Sequence, residues 1–108
     1  MRRLLSPVER IRIAVMRSRR KADKNAARRA KLAGAAVEHV DREFIRQRDG
    51  QLCYLCGGWV SVHEQSLDHV VPLSRGGAHA YANIKLAHKV CNSKKGDRLL
   101  GEIDWATF

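Results

Sequence analysis

Two pairs of metal-type donors at equal spacing constrain this chain more than any other feature. Cys53-x-x-Cys56 and His88-x-x-Cys91 each leave two residues between donors, the interval at which one tight turn aims two side chains at a single ion. Together they supply the four donors of a closed structural zinc site. The three cysteines cannot all pair as disulfides within the chain, which favours metal ligands or free thiols in a reducing compartment. A redox reading of Cys53 and Cys56 lacks the βαβ setting it requires and leaves the second pair a coincidence. His88 is the weakest member of the set, because cysteine is commoner in its place, and His63 and His79 are the alternatives.

Zinc matters here because of size. A module of about 60 residues buries only ~60% of its unfolded surface and is marginal without a staple. Structural zinc contributes ~10–16 kcal/mol in finger peptides, against a net domain stability of ~5–15 kcal/mol. With all four positions filled by protein, such an ion holds the fold and leaves no position for a substrate.

The formal charge of +10 is unevenly spread: residues 1–50 carry 15 Lys and Arg against 6 Asp and Glu, and residues 51–108 carry 6 against 5. A basic arm joined to a nearly neutral module points to a polyanionic partner, most simply nucleic acid, although an anionic membrane surface attracts the same charge. No apolar run approaches the length of a spanning helix, and the start lacks a secretory h-region, so the expectation is a soluble, cytoplasmic protein. The Arg-rich, amphipathic opening has some presequence character, but Glu9 and the helix-start signal argue against it.

Ser6-Pro7-Val8-Glu9 reads as a capping box with Pro at the first helical position. Val8, Ile11 and Val15 then form a short apolar stripe, but from Arg17 to Lys31 the only apolar residues are alanines. That stretch has helix propensity without a burying face, so it is either a solvated helix or an arm that orders on binding. Past Gly34, the residues Val37, Val40, Phe44 and Ile45 restore a docking face, and Gly50 caps the helix they form. The second half predicts a turn around "CYLCGG", a β-ribbon over Trp59–His63, a strand over Leu67–Val71 and the loop "LSRGGAHAYA". A strand "IKLAH" and a helix over Lys89–Leu100 complete it. The fold class is therefore α+β: a zinc-stapled ββα module, 42–108, behind a basic helical arm, 1–41. Trp59 and Trp105 read as core, and Gly76-Gly77 as a flexible turn.

Between the knuckles lie Asp68-His69 at the end of a strand and Asn83 closing a loop, and Asn92 directly follows Cys91. With this set in a ββα frame, the chain resembles the HNH endonucleases of the ββα-metal class over about residues 42–98, from "REFIRQRDGQLCYLCGG" through "LDHVVPLSRGG" to "HKVCNSKKGD". It is similar in particular to zinc-knuckled bacterial and phage members. The intervals of 14 residues from His69 to Asn83 and 9 from Asn83 to Asn92 are similar to those of the HNH domain in RNA-guided DNA-cleaving effectors. The linked set is specific where each piece alone is weak.

The resemblance implies a DNA phosphodiesterase leaving 5′-phosphate and 3′-hydroxyl ends in a bacterial or phage-infected cell. It assigns His69 as general base, Asn83 as the brace of that ring, and Asp68 and Asn92 as ligands of a catalytic divalent ion. The family's last position is often His, and a carboxylate with an amide instead makes a hard, oxygen-only site suited to Mg²⁺ or Mn²⁺. Lys94, Lys95 and Arg75 in the module, with Arg28 and Arg29 on the arm, are the expected DNA contacts. Simpler roles stand beside these: Asp68 as a cap or ion-pair partner, His69 as a core histidine, Asn83 as a turn residue, Asn92 as a helix-start polar group, and the lysines as solvated charge. Strict alternation sends Asp68 and His69 to opposite faces of a strand, so both serve one site only if the strand twists at its end. A zinc-stapled nucleic-acid-binding module without catalysis is the second reading, and an RNA-directed nuclease the third.

Overall fold

The computed structural model describes residues 4–32, 34 and 37–108. Its elements run α1 (Pro7–Leu32), α2 (Arg42–Arg48), β1 (Gln65–His69), β2 (Ile84–His88) and α3 (Lys89–Lys95), with single 3-10 turns at Leu73–Arg75, Tyr81–Asn83 and Leu100–Glu102. This is a small α+β fold around one two-stranded sheet. No helix among the described residues is long and apolar enough to cross a membrane.

The capping box forms as its sequence dictates: Glu9 N donates to Ser6 Oγ at 3.1 Å and Ser6 N to Glu9 Oε1 at 3.4 Å. The burying face of α1 lies elsewhere than expected. Val8 and Ile11 are exposed, whereas Ala26 and Ala30 are buried, so the alanine stretch is itself the docking face. A methyl group lets the helix backbone come close to the Leu73–Arg75 turn, an approach that larger side chains would prevent. Asp23 locks it from the side, accepting from Arg42 Nη2 at 2.6 Å and Arg42 Nε at 3.3 Å, and Arg19 donates to the Val62 carbonyl. The arm is thus docked along one face and not solvated all round.

Asp41 caps α2 by accepting from Glu43 N at 3.0 Å. Of the residues assigned to the docking face, Val40 and Ile45 are buried, and Phe44 lies outside, edge-on to Tyr81. β1 and β2 pair antiparallel in the register Leu67 with Leu86, Asp68 with Lys85 and His69 with Ile84. Ile45, Val60, Ile84 and Leu86 form the fully buried centre beneath the sheet.

Three boundaries differ from expectation, each for a local reason. The strand written as Leu67–Val71 runs instead over Gln65–His69, because past the in-register bond from Val70 N to the Asn83 carbonyl the ladder stops: Asn83 N donates to the Ala80 carbonyl and Val71 N to Asn83 Oδ1, both at 2.9 Å. The Trp59–His63 ribbon reduces to one bridge between Leu52 and Trp59. α3 stops at Lys95, where Gly96 takes φ +60° and Arg98 turns back to donate to the Lys94 and Lys95 carbonyls at 2.7 and 3.1 Å. Both tryptophans assigned to the core are exposed, Trp105 against the Phe108 ring.

Gly76-Gly77 is a structural requirement and not a flexible turn. Gly76 adopts φ +87°, and a Cβ on buried Gly77 would lie 1.8 Å from the Val71 carbonyl oxygen and 2.9 Å from Asn83 Nδ2. Gly77→Ala is therefore expected to lower stability by about 1–3 kcal/mol, the usual cost of overpacking, while Gly101→Ala, with open space around it, leaves the unfolding midpoint near wild type. Chemical denaturation of the two variants checks this, and equal midpoints would contradict the close approach.

Candidate metal centre and cleft

The first knuckle is a hairpin tip. Gly57 N donates to the Cys53 carbonyl and Cys53 N to the Gly58 carbonyl, both at 2.8 Å, while Gly58 N points at Cys56 Sγ from 3.4 Å. The second knuckle is the junction of β2 and α3, where His88 N points at Cys53 Sγ from 3.4 Å. The ligand atoms of Cys53, Cys56, His88 and Cys91 all lie within 4.8 Å of one another. His88 Nδ1 is 3.3 Å from Cys56 Sγ and 3.7 Å from Cys91 Sγ. A tetrahedron built on Zn–S and Zn–N bonds of about 2.3 and 2.0–2.1 Å has edges of about 3.5–3.8 Å, so the spacing fits.

His88 Nε2 lies 2.8 Å from the Trp59 carbonyl, which can only accept, so the proton sits on Nε2 and the Nδ1 lone pair faces the sulfurs. That bond resolves the choice of fourth donor in favour of His88. His63 is exposed, and His79 is bonded elsewhere. Burial opposes ionisation of Cys53, but N–H donors from His88, Cys56 and Leu55 outweigh it and bring the thiol down to about 7. Cys91 is pushed up to about 12 by burial and by the neighbouring thiols. Three sulfurs so close favour a cation among them.

Beside the knuckle, a cleft of about 360 Å³ opens between α1, the end of β1 and the start of α3, with Asp68, His69, Asn92, His79 and Arg29 in its lining. Asp68 and His69 both line it, as do Ser66 and Leu67 of the same strand. Asp68 is buried, accepts a short hydrogen bond from the Tyr54 hydroxyl, and lies 3.3 Å from Lys95 Nζ. Burial raises its pKa, and the Tyr54 and Lys95 contacts oppose that rise. Asn92 Nδ2 donates to Ser66 Oγ at 2.8 Å, which leaves Oδ1 as the amide atom able to serve an ion.

Asn83 accepts from Val71 N at 2.9 Å and donates to the Val71 and Ala78 carbonyls at 3.0 and 2.8 Å. One amide thereby pins both ends of the loop that follows His69. His69 Nε2 meets His79 Nδ1 at 3.0 Å. Burial first, then the charges of His79, Arg29 and Lys95, depress His69 to about 4.

The expected nucleic-acid residues divide. Arg28 and Arg29 are exposed on α1, with Arg29 at the cleft. Arg75 pairs with Glu102, and Lys94 donates to the Phe108 carbonyl at 3.3 Å. Lys95 is a correction: its side chain is fully buried, 3.1 Å from the His69 carbonyl and beside Asp68, so it cannot meet a phosphate on the surface. Tyr54, Ser66 and His79 belong to the site without any spacing signal that marks them.

No curated protein matches the sequence. Residues 53–98, which carry both knuckles together with Asp68, His69, Asn83 and Asn92, match the family model for HNH endonuclease.

Proposed function

We propose that the protein is a metal-dependent DNA endonuclease in which His69 is the general base. The observation that carries this reading is the meeting of Asp68, His69 and Asn92 at one cleft inside the segment that matches the HNH family. A buried carboxylate and an amide oxygen are hard donors, the chemistry that Mg²⁺ and Mn²⁺ select. Such an ion, held by Asp68 and Asn92, supplies charge neutralisation at the phosphate and the leaving oxygen. His69 takes a proton from the attacking water, with a contribution of about 10²–10⁴ in rate. Asn83 keeps the loop, and with it the ring, in position through its three hydrogen bonds. Cys53, Cys56, His88 and Cys91 hold a structural Zn²⁺, whose closed donor set keeps it out of the chemistry.

DNA is the proposed substrate. Arg28 and Arg29 stand on an arm that holds most of the excess charge, and such contacts give largely sequence-independent affinity that falls with salt. Lys95 is internal, and its role in this reading is to fix Asp68 and the end of β1.

Supercoiled plasmid with Mg²⁺ or Mn²⁺ tests the proposal. Wild type should convert it to open circle or linear product, and His69→Ala should lower that rate by about 10²–10⁴-fold with DNA binding retained. Binding without cutting under either metal would instead favour a non-catalytic, zinc-stapled binding module.

The ordinary histidine value alone places the decline of cleavage near pH 6.5; His69, half-buried and beside other positive groups, shifts that expectation. A base depressed to about 4 stays neutral, and competent, well below 6.5, so cleavage should not fall for want of base between pH 7 and 5. In an NMR titration of the protein, His69 should show no protonation midpoint above pH 5, and a midpoint near 6.5 would contradict that depression. Removal of one zinc donor is a separate matter: Cys53→Ser should lose bound zinc and unfold the second half of the chain. A Cys53→Ser protein with native circular dichroism and no zinc would show that the staple is dispensable.

A further inference from the structure

The ring next to His69 in space is another histidine. His79 is buried, and its Nδ1 lies 3.0 Å from His69 Nε2, with the rings tilted by 38° at a centroid distance of 5.3 Å. Its backbone is fixed independently of that bond, since His79 pairs with Val37 and its carbonyl accepts from Glu38 N at 2.7 Å. The side chain is therefore held against His69 from a different segment of chain. Sequence spacing assigns His79 no part in the reaction.

One hydrogen lies between the two nitrogens, and which ring owns it decides whether His69 can be a base. A neutral imidazole has one N–H and one lone pair. If His79 donated, the only lone pair of His69 would be spent in that bond and its Nδ1 would carry the proton. If His69 donates, its lone pair is at Nδ1, an atom with no hydrogen-bond partner among the described residues, and is free for water.

We infer that His79 is a positioning residue that accepts the Nε2 hydrogen of His69 and so sets the tautomer in which Nδ1 is the base. The inference rests on the proposed role of His69 and adds the group that orients it. In the step, a water O–H bond breaks and its proton passes to His69 Nδ1, while the oxygen bonds to phosphorus. The P–O3′ bond breaks with its electron pair left on O3′, which takes a proton from solvent. The imidazolium that results keeps its Nε2 hydrogen on His79 Nδ1, so the bond strengthens as charge develops. Burial disfavours a second proton on His79, which would occupy the accepting Nδ1, and Asp23 of α1, on the same cleft, opposes that effect.

Two substitutions separate acceptor chemistry from packing. His79→Phe keeps the ring and removes the acceptor; His79→Asn loses the ring and places an amide oxygen near the position of Nδ1. In plasmid cleavage with Mg²⁺, His79→Phe should lower kcat by about 10- to 100-fold at unchanged KM, and His79→Asn should recover most of that loss. Phe and Asn variants equally impaired, or a Phe variant as fast as wild type, would overturn the inference. His69→Ala, run beside them, tells the two failures apart. If it cleaves like wild type, the general-base reading itself falls; if it is inactive while His79→Phe is unimpaired, only the role of His79 falls. On the unmutated protein, ¹⁵N NMR of the histidine rings should find His69 protonated at Nε2 and bare at Nδ1, with a coupling across the hydrogen bond to His79. A proton on Nδ1 would overturn the assignment without reference to any variant.

Discussion

The convergence of four soft donors from residues 53–56 and 88–91 is the constraint on which the rest of the structure depends. It joins a hairpin tip to the junction of β2 and α3, two pieces that also meet in the small core through Cys53, Leu55, Leu86, Ala87 and Cys91. Zinc at such a site is comparable in energy to the whole net stability of a small domain. The knuckle also reaches directly into the cleft. Tyr54 lies between two of the donors, with its N–H donating to the Leu86 carbonyl at 3.0 Å and its hydroxyl to Asp68. Fixing the knuckle therefore fixes the carboxylate, and α3, which starts at the second donor pair, carries Asn92 and Lys95 into place.

Around Asp68 the chain accepts an electrostatic cost. A carboxylate and an ammonium are both taken out of water, a pairing that seldom adds net stability because desolvation offsets attraction. What such a pair contributes here is placement: Lys95 holds both the Asp68 side chain and the His69 carbonyl, so the end of β1 cannot fray. Asn83 does the same for the loop beyond it, and Gly77 lets that loop close against the Val71 carbonyl. The catalytic proposal needs this stiffness, because a base displaced by an ångström loses much of its effect.

The knuckle was legible in the sequence because short local intervals force local geometry, whereas Asp68, His69, Asn83 and Asn92 stood out only as a set, through resemblance to a known family. Other parts were not legible, for physical reasons. Periodicity counts alanines as poor core, yet Ala26 and Ala30 dock α1 because closeness of approach, more than apolar volume, decided that contact. Helical spacing placed Lys95 one turn past Asn92 without showing that the turn faces inward. Tyr54 and His79 join the cleft through tertiary proximity that no interval encodes, and Asn83 shortened β1 by binding Val71, a residue that alternation assigned to it.

The central claim is that Asp68 and Asn92 grip a hard divalent cation beside the His69 ring. Mn²⁺ added stepwise to the zinc-loaded, ¹⁵N-labelled protein measures this directly, through paramagnetic broadening of nearby resonances. The account predicts that the amides of Asp68 and His69 and the side-chain amide of Asn92 broaden first, at substoichiometric Mn²⁺, while those of α1 before Arg17 stay sharp. Broadening confined to scattered surface carboxylates, with Asp68 and Asn92 untouched at one equivalent, would contradict it.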